Sequence, residues 1–135
     1  MSETAGYSGK LLSAKLGVKA GDTLAAIDAP AGYRLLLEPL PDGVRIIEGP
    51  DPSARILHLF VRDHADLEAK TATAFGHRPE SGMVWVSWPK KTSQLFVDLT
   101  EDGVREVVLP TGWVDVKVCA VDADWSGLKY LRRRA

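Results

Sequence analysis

Apolar residues along this chain fall into short blocks of two kinds. Four blocks are close to continuous: Thr23 to Asp28, Val44 to Glu48, Ile56 to Val61 and Met83 to Trp88. Runs of this length without alternation predict strands covered on both faces. Between and around them the apolar spacing changes to three and four. Leu12 and Leu16, widened by Leu11, predict a helix over Tyr7 to Leu16 that Gly17 ends. Leu35, Leu36 and Leu40 predict a short helix over Tyr33 to Leu40, bracketed by Pro39 and Pro41. Asp63 is placed to cap a helix whose buried face holds Leu67, Thr71, Ala74 and Phe75, with Gly76 as its stop. Asp98 and Glu101 have the spacing of a capping box, ahead of a helix carrying Val104, Val107 and Val108 and closed by Pro110 and Gly112.

The last third reads differently. From Val114 to Val121 apolar residues sit at even positions while Asp115 and Lys117 alternate with them, the pattern of an edge strand. Asp122 to Gly127 is a turn sequence, and Leu128 to Arg133 returns as the final strand of a hairpin. Strands alternating with helices imply a mostly parallel α/β sheet with helices on both faces. No repeat or low-complexity linker divides the chain, so residues 1–135 are expected to form one domain, with 1–6 flexible.

The strand Met83 to Trp88 runs into Pro89, which lacks a ladder donor and is expected to end it. Ligands of open α/β sheets gather beyond the carboxyl ends of strands. That directs attention to the loop Lys90-Lys91-Thr92-Ser93, where two ammonium groups and two hydroxyls suit a phosphate or carboxylate. Trp88 beside them offers a ring for stacking. The competing reading is a solvated loop with ordinary lysines.

Composition narrows the rest. The 135 residues are 45 % hydrophobic and 26 % charged with a net charge of −1, which provides no global field toward nucleic acid or an anionic membrane. The three arginines Arg132 to Arg134 are a basic tail, less than the basic domain that nucleic-acid binding asks for. No run approaches the length of a membrane span. The single Cys119 and the absence of a signal-peptide pattern at Met1 to Thr4 indicate a cytoplasmic protein. His58, His64 and His77 lack metal-ligand spacing, and His58, inside an apolar run, reads as a core histidine. Nucleophile-elbow and phosphate-loop motifs are missing.

The late helix, the alternating strand, the acidic turn with Trp125 and the basic returning strand together resemble the end of a Rossmann-type methyltransferase, with one strand–helix unit fewer. That resemblance implies strand order 2-1-3-4-6-5, the final strand antiparallel. It also implies a glycine-rich cofactor loop after the first strand, where this chain has Asp28-Ala29-Pro30-Ala31-Gly32, with one glycine and a proline. Glu48 matches the family's ribose-binding acidic position. Gly6-Tyr7, Lys15-Leu16-Gly17, Trp85-Val86, Pro89-Lys90 and Trp125-Ser126 resemble a bacterial family, the domain-of-unknown-function 3052 family, to which no activity is assigned.

Two functional expectations follow. The first is a non-catalytic binding or interaction domain with a degenerate methyltransferase-like fold, no bound cofactor, and Pro30, Tyr33 and Trp88 filling the space at the strand ends. The second is an enzyme acting on an anionic small molecule, S-adenosylmethionine-dependent methyl transfer foremost, through Asp28, Glu48 and Lys90. Candidate ligand-binding residues are Asp28, Glu48, Trp88, Lys90, Lys91 and Ser93. Expected partners are a protein or a small anionic ligand, and an uncovered hairpin edge offers a surface for a homodimer.

Overall fold

The computed structural model describes residues 11–76 and 82–133. The start expected to be flexible at 1–6, the first residues of the helix expected over Tyr7 to Leu16, and the loop expected around His77 lie outside the described residues. The elements, in order, are α1 (Leu12–Leu16), β1 (Thr23–Ile27), α2 (Tyr33–Leu37), β2 (Arg45–Glu48), β3 (Ile56–Phe60), α3 (His64–Phe75), β4 (Met83–Pro89), α4 (Glu101–Val108), β5 (Trp113–Ala120) and β6 (Trp125–Arg132). Six strands make one sheet in the order β2-β1-β3-β4-β6-β5. The first four are parallel, while β6 runs antiparallel to β4 and β5. This is the order that the methyltransferase resemblance implied.

Each face of the sheet has its own core. On one, Leu12 and Leu16 of α1 and Tyr33 and Leu37 of α2 pack on Leu24, Ile56, Phe60, Trp85 and Trp125. On the other, Leu67, Ala74 and Phe75 of α3 and Val104 and Val108 of α4 cover Leu57, Val84, Val86, Leu128 and Tyr130. All five residues of β3 and all seven of β4 are buried, as a doubly covered strand requires. Two tryptophans tie helix ends to the sheet. Trp85 Nε1 donates to the Leu16 carbonyl at 3.1 Å and Trp113 Nε1 to that of Phe75 at 3.2 Å, satisfying carbonyls that a helix leaves without internal partners.

Several local expectations change. α1 starts at Leu12, because Leu11 is extended and half-exposed rather than part of the buried stripe. α2 stops at Leu37, since Glu38 precedes Pro39 and a residue before proline is pushed out of helical geometry. β4 ends at Pro89 as expected, with Pro89 itself the last ladder residue, opposite Trp125. The Asp98–Glu101 capping box does not form. Thr100 caps α4, its Oγ1 accepting from Gly103 N at 3.1 Å, while Asp98 accepts from His64 N at the start of α3. Asp63 caps α3 as expected.

The terminal hairpin is longer and tighter than its sequence suggests. β6 begins at Trp125, three residues early, because Asp122 Oδ1 accepts from both Asp124 N and Trp125 N and closes the turn in four residues. In β5 the even-numbered valines are not the covered set. A bulge between Asp115 and Lys117 leaves Val116 unpaired, and Val116 and Val118 are exposed on this edge strand. Among the described residues no helix is long and apolar enough to cross a membrane.

Candidate functional site

β1 leads through α2 to β2 on one side, whereas β3 leads through α3 to β4 on the other. The strand order therefore reverses between β1 and β3, and the crevice beyond their carboxyl ends is the topological switch point where such sheets hold ligands. A crevice of about 510 Å³ opens there, lined by Asp28, Ala29, Phe60, Arg62, Asp66, Lys70 and Trp125. This is within the size range of small-molecule sites.

Asp28 is its most unusual residue. Its backbone is left-handed, with φ +58°, the only such non-glycine residue among those described. Aspartate tolerates this conformation better than most residues, yet it remains an outlier of the kind that collects at functional sites. The turn ends at Gly32, also left-handed at φ +82°, which starts α2. One glycine and one aspartate thus supply the left-handed positions of this loop.

Lys70 of α3 crosses the crevice and pairs with both Asp28 and Asp66, reaching the latter at 3.0 Å. Burial acts to raise the Asp66 carboxyl pKa, but the Arg62 amide at 2.9 Å and the Lys70 ammonium outweigh it and hold Asp66 below the usual range. Burial works against the Lys70 ammonium too, and the two carboxylates more than restore it. Asp66 is buried and fully committed. The Asp28 carboxylate and the Arg62 guanidinium remain largely exposed. The crevice thus offers an accessible anion, an accessible cation, and the edges of Phe60 and Trp125, which meet edge-to-face at 5.1 Å.

Beneath this floor lies a closed polar chain. Tyr33 Oη and His58 Nδ1 are 2.6 Å apart, and His58 Nε2 and Ser87 Oγ are 2.7 Å apart. Phe60 stacks on the His58 ring at 4.2 Å and lies between it and the crevice. Burial pushes the His58 pKa down to about 3 and raises that of Tyr33. Gly127 packs closely alongside; a Cβ there would lie 3.2 Å from Ser87 Oγ, tight enough that the hydroxyl would have to shift by a few tenths of an ångström. The three polar groups satisfy one another and join α2, β3 and β4. This is the expected core histidine, buried and bonded at both ring nitrogens.

A second cleft of about 440 Å³ lies at the end of β4, lined by Trp88, Lys90, Lys91, Leu99, Thr100, Glu101, Asp102 and Ser126. The sequence-derived candidates therefore separate. Asp28 belongs to the switch-point crevice; Trp88, Lys90 and Lys91 belong to the second cleft. Trp88 is only 4 % exposed and forms its floor. Ser93 lines neither; its hydroxyl donates to Asp124 Oδ1 at 2.8 Å and pins the loop. Glu48 is exposed at the end of β2 and also lines neither. The space expected to be filled by Pro30, Tyr33 and Trp88 is instead open, with Tyr33 committed to His58 below it. Sequence reading missed Lys70, Asp66 and Arg62, although Asp66 and Lys70 stand at i, i+4 on one helix face, a readable pairing signal. Among the described residues no group of three or more His, Cys, Asp or Glu is arranged to hold a metal ion.

No family model and no curated protein sequence matches the chain. Solved structures do. An O-methyltransferase family 2 protein from Planctomyces limnophilus, in complex with apigenin, matches with a TM-score of 0.62 at 14 % identity over 96 % of this chain and 54 % of that one. A SAM-dependent methyltransferase from Aquifex aeolicus matches with a TM-score of 0.57 at 13 % identity over 87 % and 85 %. A possible exported protein from Bordetella parapertussis matches with a TM-score of 0.63 at 10 % identity over 93 % and 66 %. The chain has a methyltransferase-like fold. It spans a little over half the length of the Planctomyces protein and about two thirds of the Bordetella one, and at these identities the likeness concerns the fold alone.

Proposed function

We propose that this chain is a methyltransferase-fold domain that binds a small charged ligand in the switch-point crevice, with S-adenosylmethionine or its demethylated product as the first class to test. The observation that carries this reading is the open crevice between the ends of β1 and β3, with Asp28 held there in a left-handed backbone. Solved neighbours in this fold include one described as SAM-dependent and another described as a complex with SAH, which supports the choice of ligand. Methyl transfer would need an acceptor and a base or an orienting group beside it; His58, committed and enclosed, does not supply one. Binding is therefore the core of the proposal, and turnover is its extension. Membership of the domain-of-unknown-function 3052 family and a cytoplasmic setting belong to the same proposal.

The test is a thermal-shift and calorimetric titration of the full chain with the methyl donor and its product. Ligand at about 100 times its dissociation constant adds roughly 2.7 kcal/mol, on the order of ten degrees for a domain of this size. No shift with either compound would remove the proposal. It would leave the second reading, a non-catalytic interaction domain, which the exposed Val116 and Val118 on edge strand β5 favour. A concentration-dependent dimer by light scattering, lost on Val116→Lys, would support that reading through the hairpin edge.

A further inference from the structure

We propose that the cleft between the Lys90-Lys91 loop and the start of α4 is a separate binding site for a small molecule joining an apolar body to one phosphate or carboxylate group. Neither lysine ammonium has an ion-pair partner among the described residues. Two carboxylates, Glu101 and Asp102, also line the cleft. Arg105 pairs with both, at 2.6 and 3.1 Å, and with Asp115 at 2.9 Å, so its single charge offsets them only in part. The anion is therefore assigned to the lysine side of the cleft, away from the start of α4. The cations stand on a loop that is held in place. Lys90 N donates to the Asp124 carbonyl at 2.8 Å, Ser93 N to the Lys90 carbonyl at 3.0 Å, and Ser93 Oγ to Asp124. Anchoring of this kind lowers the ordering cost of binding.

The floor is apolar, made by Trp88 and Leu99, with the hydroxyls of Thr100 and Ser126 at the wall. Thr100 Oγ1 accepts the Gly103 amide, which leaves its O–H proton to donate. A volume of about 440 Å³ is far larger than a bare anion needs and fits an anion attached to a ring or short chain. Ionised acceptors make the stronger hydrogen bonds with ammonium groups. Trp125 lines the switch-point crevice and its neighbour Ser126 lines this cleft, so the two sites adjoin across the start of β6.

The test is an NMR titration of the full chain with phenyl phosphate, with phenylacetate and with inorganic phosphate, each against sodium chloride at matched ionic strength. The expected result is saturable shifts of the Lys90, Lys91, Thr100 and Ser126 amides with at least one aryl anion, tighter than with inorganic phosphate. Preference between the two aryl compounds identifies the anion. Lys90→Ala/Lys91→Ala should weaken binding about tenfold or more, while Lys90→Arg/Lys91→Arg keeps it. Asp28→Asn should leave it unchanged, separating this site from the methyl-donor reading. Failure of both aryl anions to bind, equal binding by the alanine variant, or inorganic phosphate binding as tightly as the aryl compounds would overturn the proposal.

Discussion

The two ends of the parallel strands are built from the same residue types and come to opposite arrangements. At the amino ends, Arg55 donates to Asp22 at 2.8 and 2.6 Å and to the Gly17 carbonyl at 2.7 Å. Backbone bonds close the same end, from Arg45 N to Asp22 O, Gly21 N to Asp42 O and Met83 N to Arg55 O. At the carboxyl ends, charges face two clefts, one aspartate holds a left-handed backbone, and two lysines have no ion-pair partner among the described residues. Charge that is hydrogen-bonded and half-desolvated stabilises the fold; charge left in water at a cleft does little for it and remains available to a ligand. The sheet interior, with His58 held neutral between two hydroxyls, belongs with the closed end.

The comparison can be broken most forcefully by acid. A histidine that stays neutral in the fold but protonates when unfolded makes the unfolded state the stronger proton binder between about pH 6.5 and 3. Stability is then full above 6.5 and falls by up to about 1.4 kcal/mol per pH unit below it. Urea unfolding at pH 6.5 and 4.5 should show a loss of about 2–3 kcal/mol, and His58→Gln should flatten that slope. An unchanged slope in the variant would assign the effect elsewhere.

The closed end comes next. Arg55→Ala should cost about 2–3 kcal/mol at neutral pH, because Asp22 and the Gly17 carbonyl lose a charged donor. The Arg55 hydrogen bond holds the Asp22 pKa below the usual range, so this contribution is present above about pH 4 and disappears as pH falls through the folded value. The deficit of the variant should accordingly shrink in acid. At the open end, Asp28→Asn keeps a residue that tolerates the left-handed backbone while removing the charge. Its stability should change by less than about 1 kcal/mol, yet the thermal shift with the methyl donor should be lost. Smallest of all, Lys90→Ala/Lys91→Ala should stay within about 0.5 kcal/mol of wild type in urea. A large destabilisation there would mean that the loop is part of the closed architecture after all.

What was legible in the sequence follows from which signals are local. Continuous apolar runs located β1, β3 and β4, and the strand order came with the methyltransferase resemblance. Caps were less secure, since Asp98 and Thr100 both precede an acidic first turn and only packing decides which one faces Gly103. The β5 bulge left no trace in the alternation of Val114, Val116 and Val118, because it arises from pairing with β6. Trp88, Lys90 and Lys91 were found from strand-end logic and do share a cleft. Lys70 was not, because its partner Asp28 lies 42 residues away and only the switch-point geometry brings them together.

The four tryptophans give this molecule a built-in optics. All are nearly enclosed, so the folded protein should emit at short wavelength and shift to the red when it opens. More usefully, they are distributed: Trp125 borders one cleft and Trp88 the floor of the other, while Trp85 and Trp113 are moored to helix ends. Each candidate site thus carries its own chromophore, and single replacements by phenylalanine would let quenching report which of the two is occupied without attaching a dye.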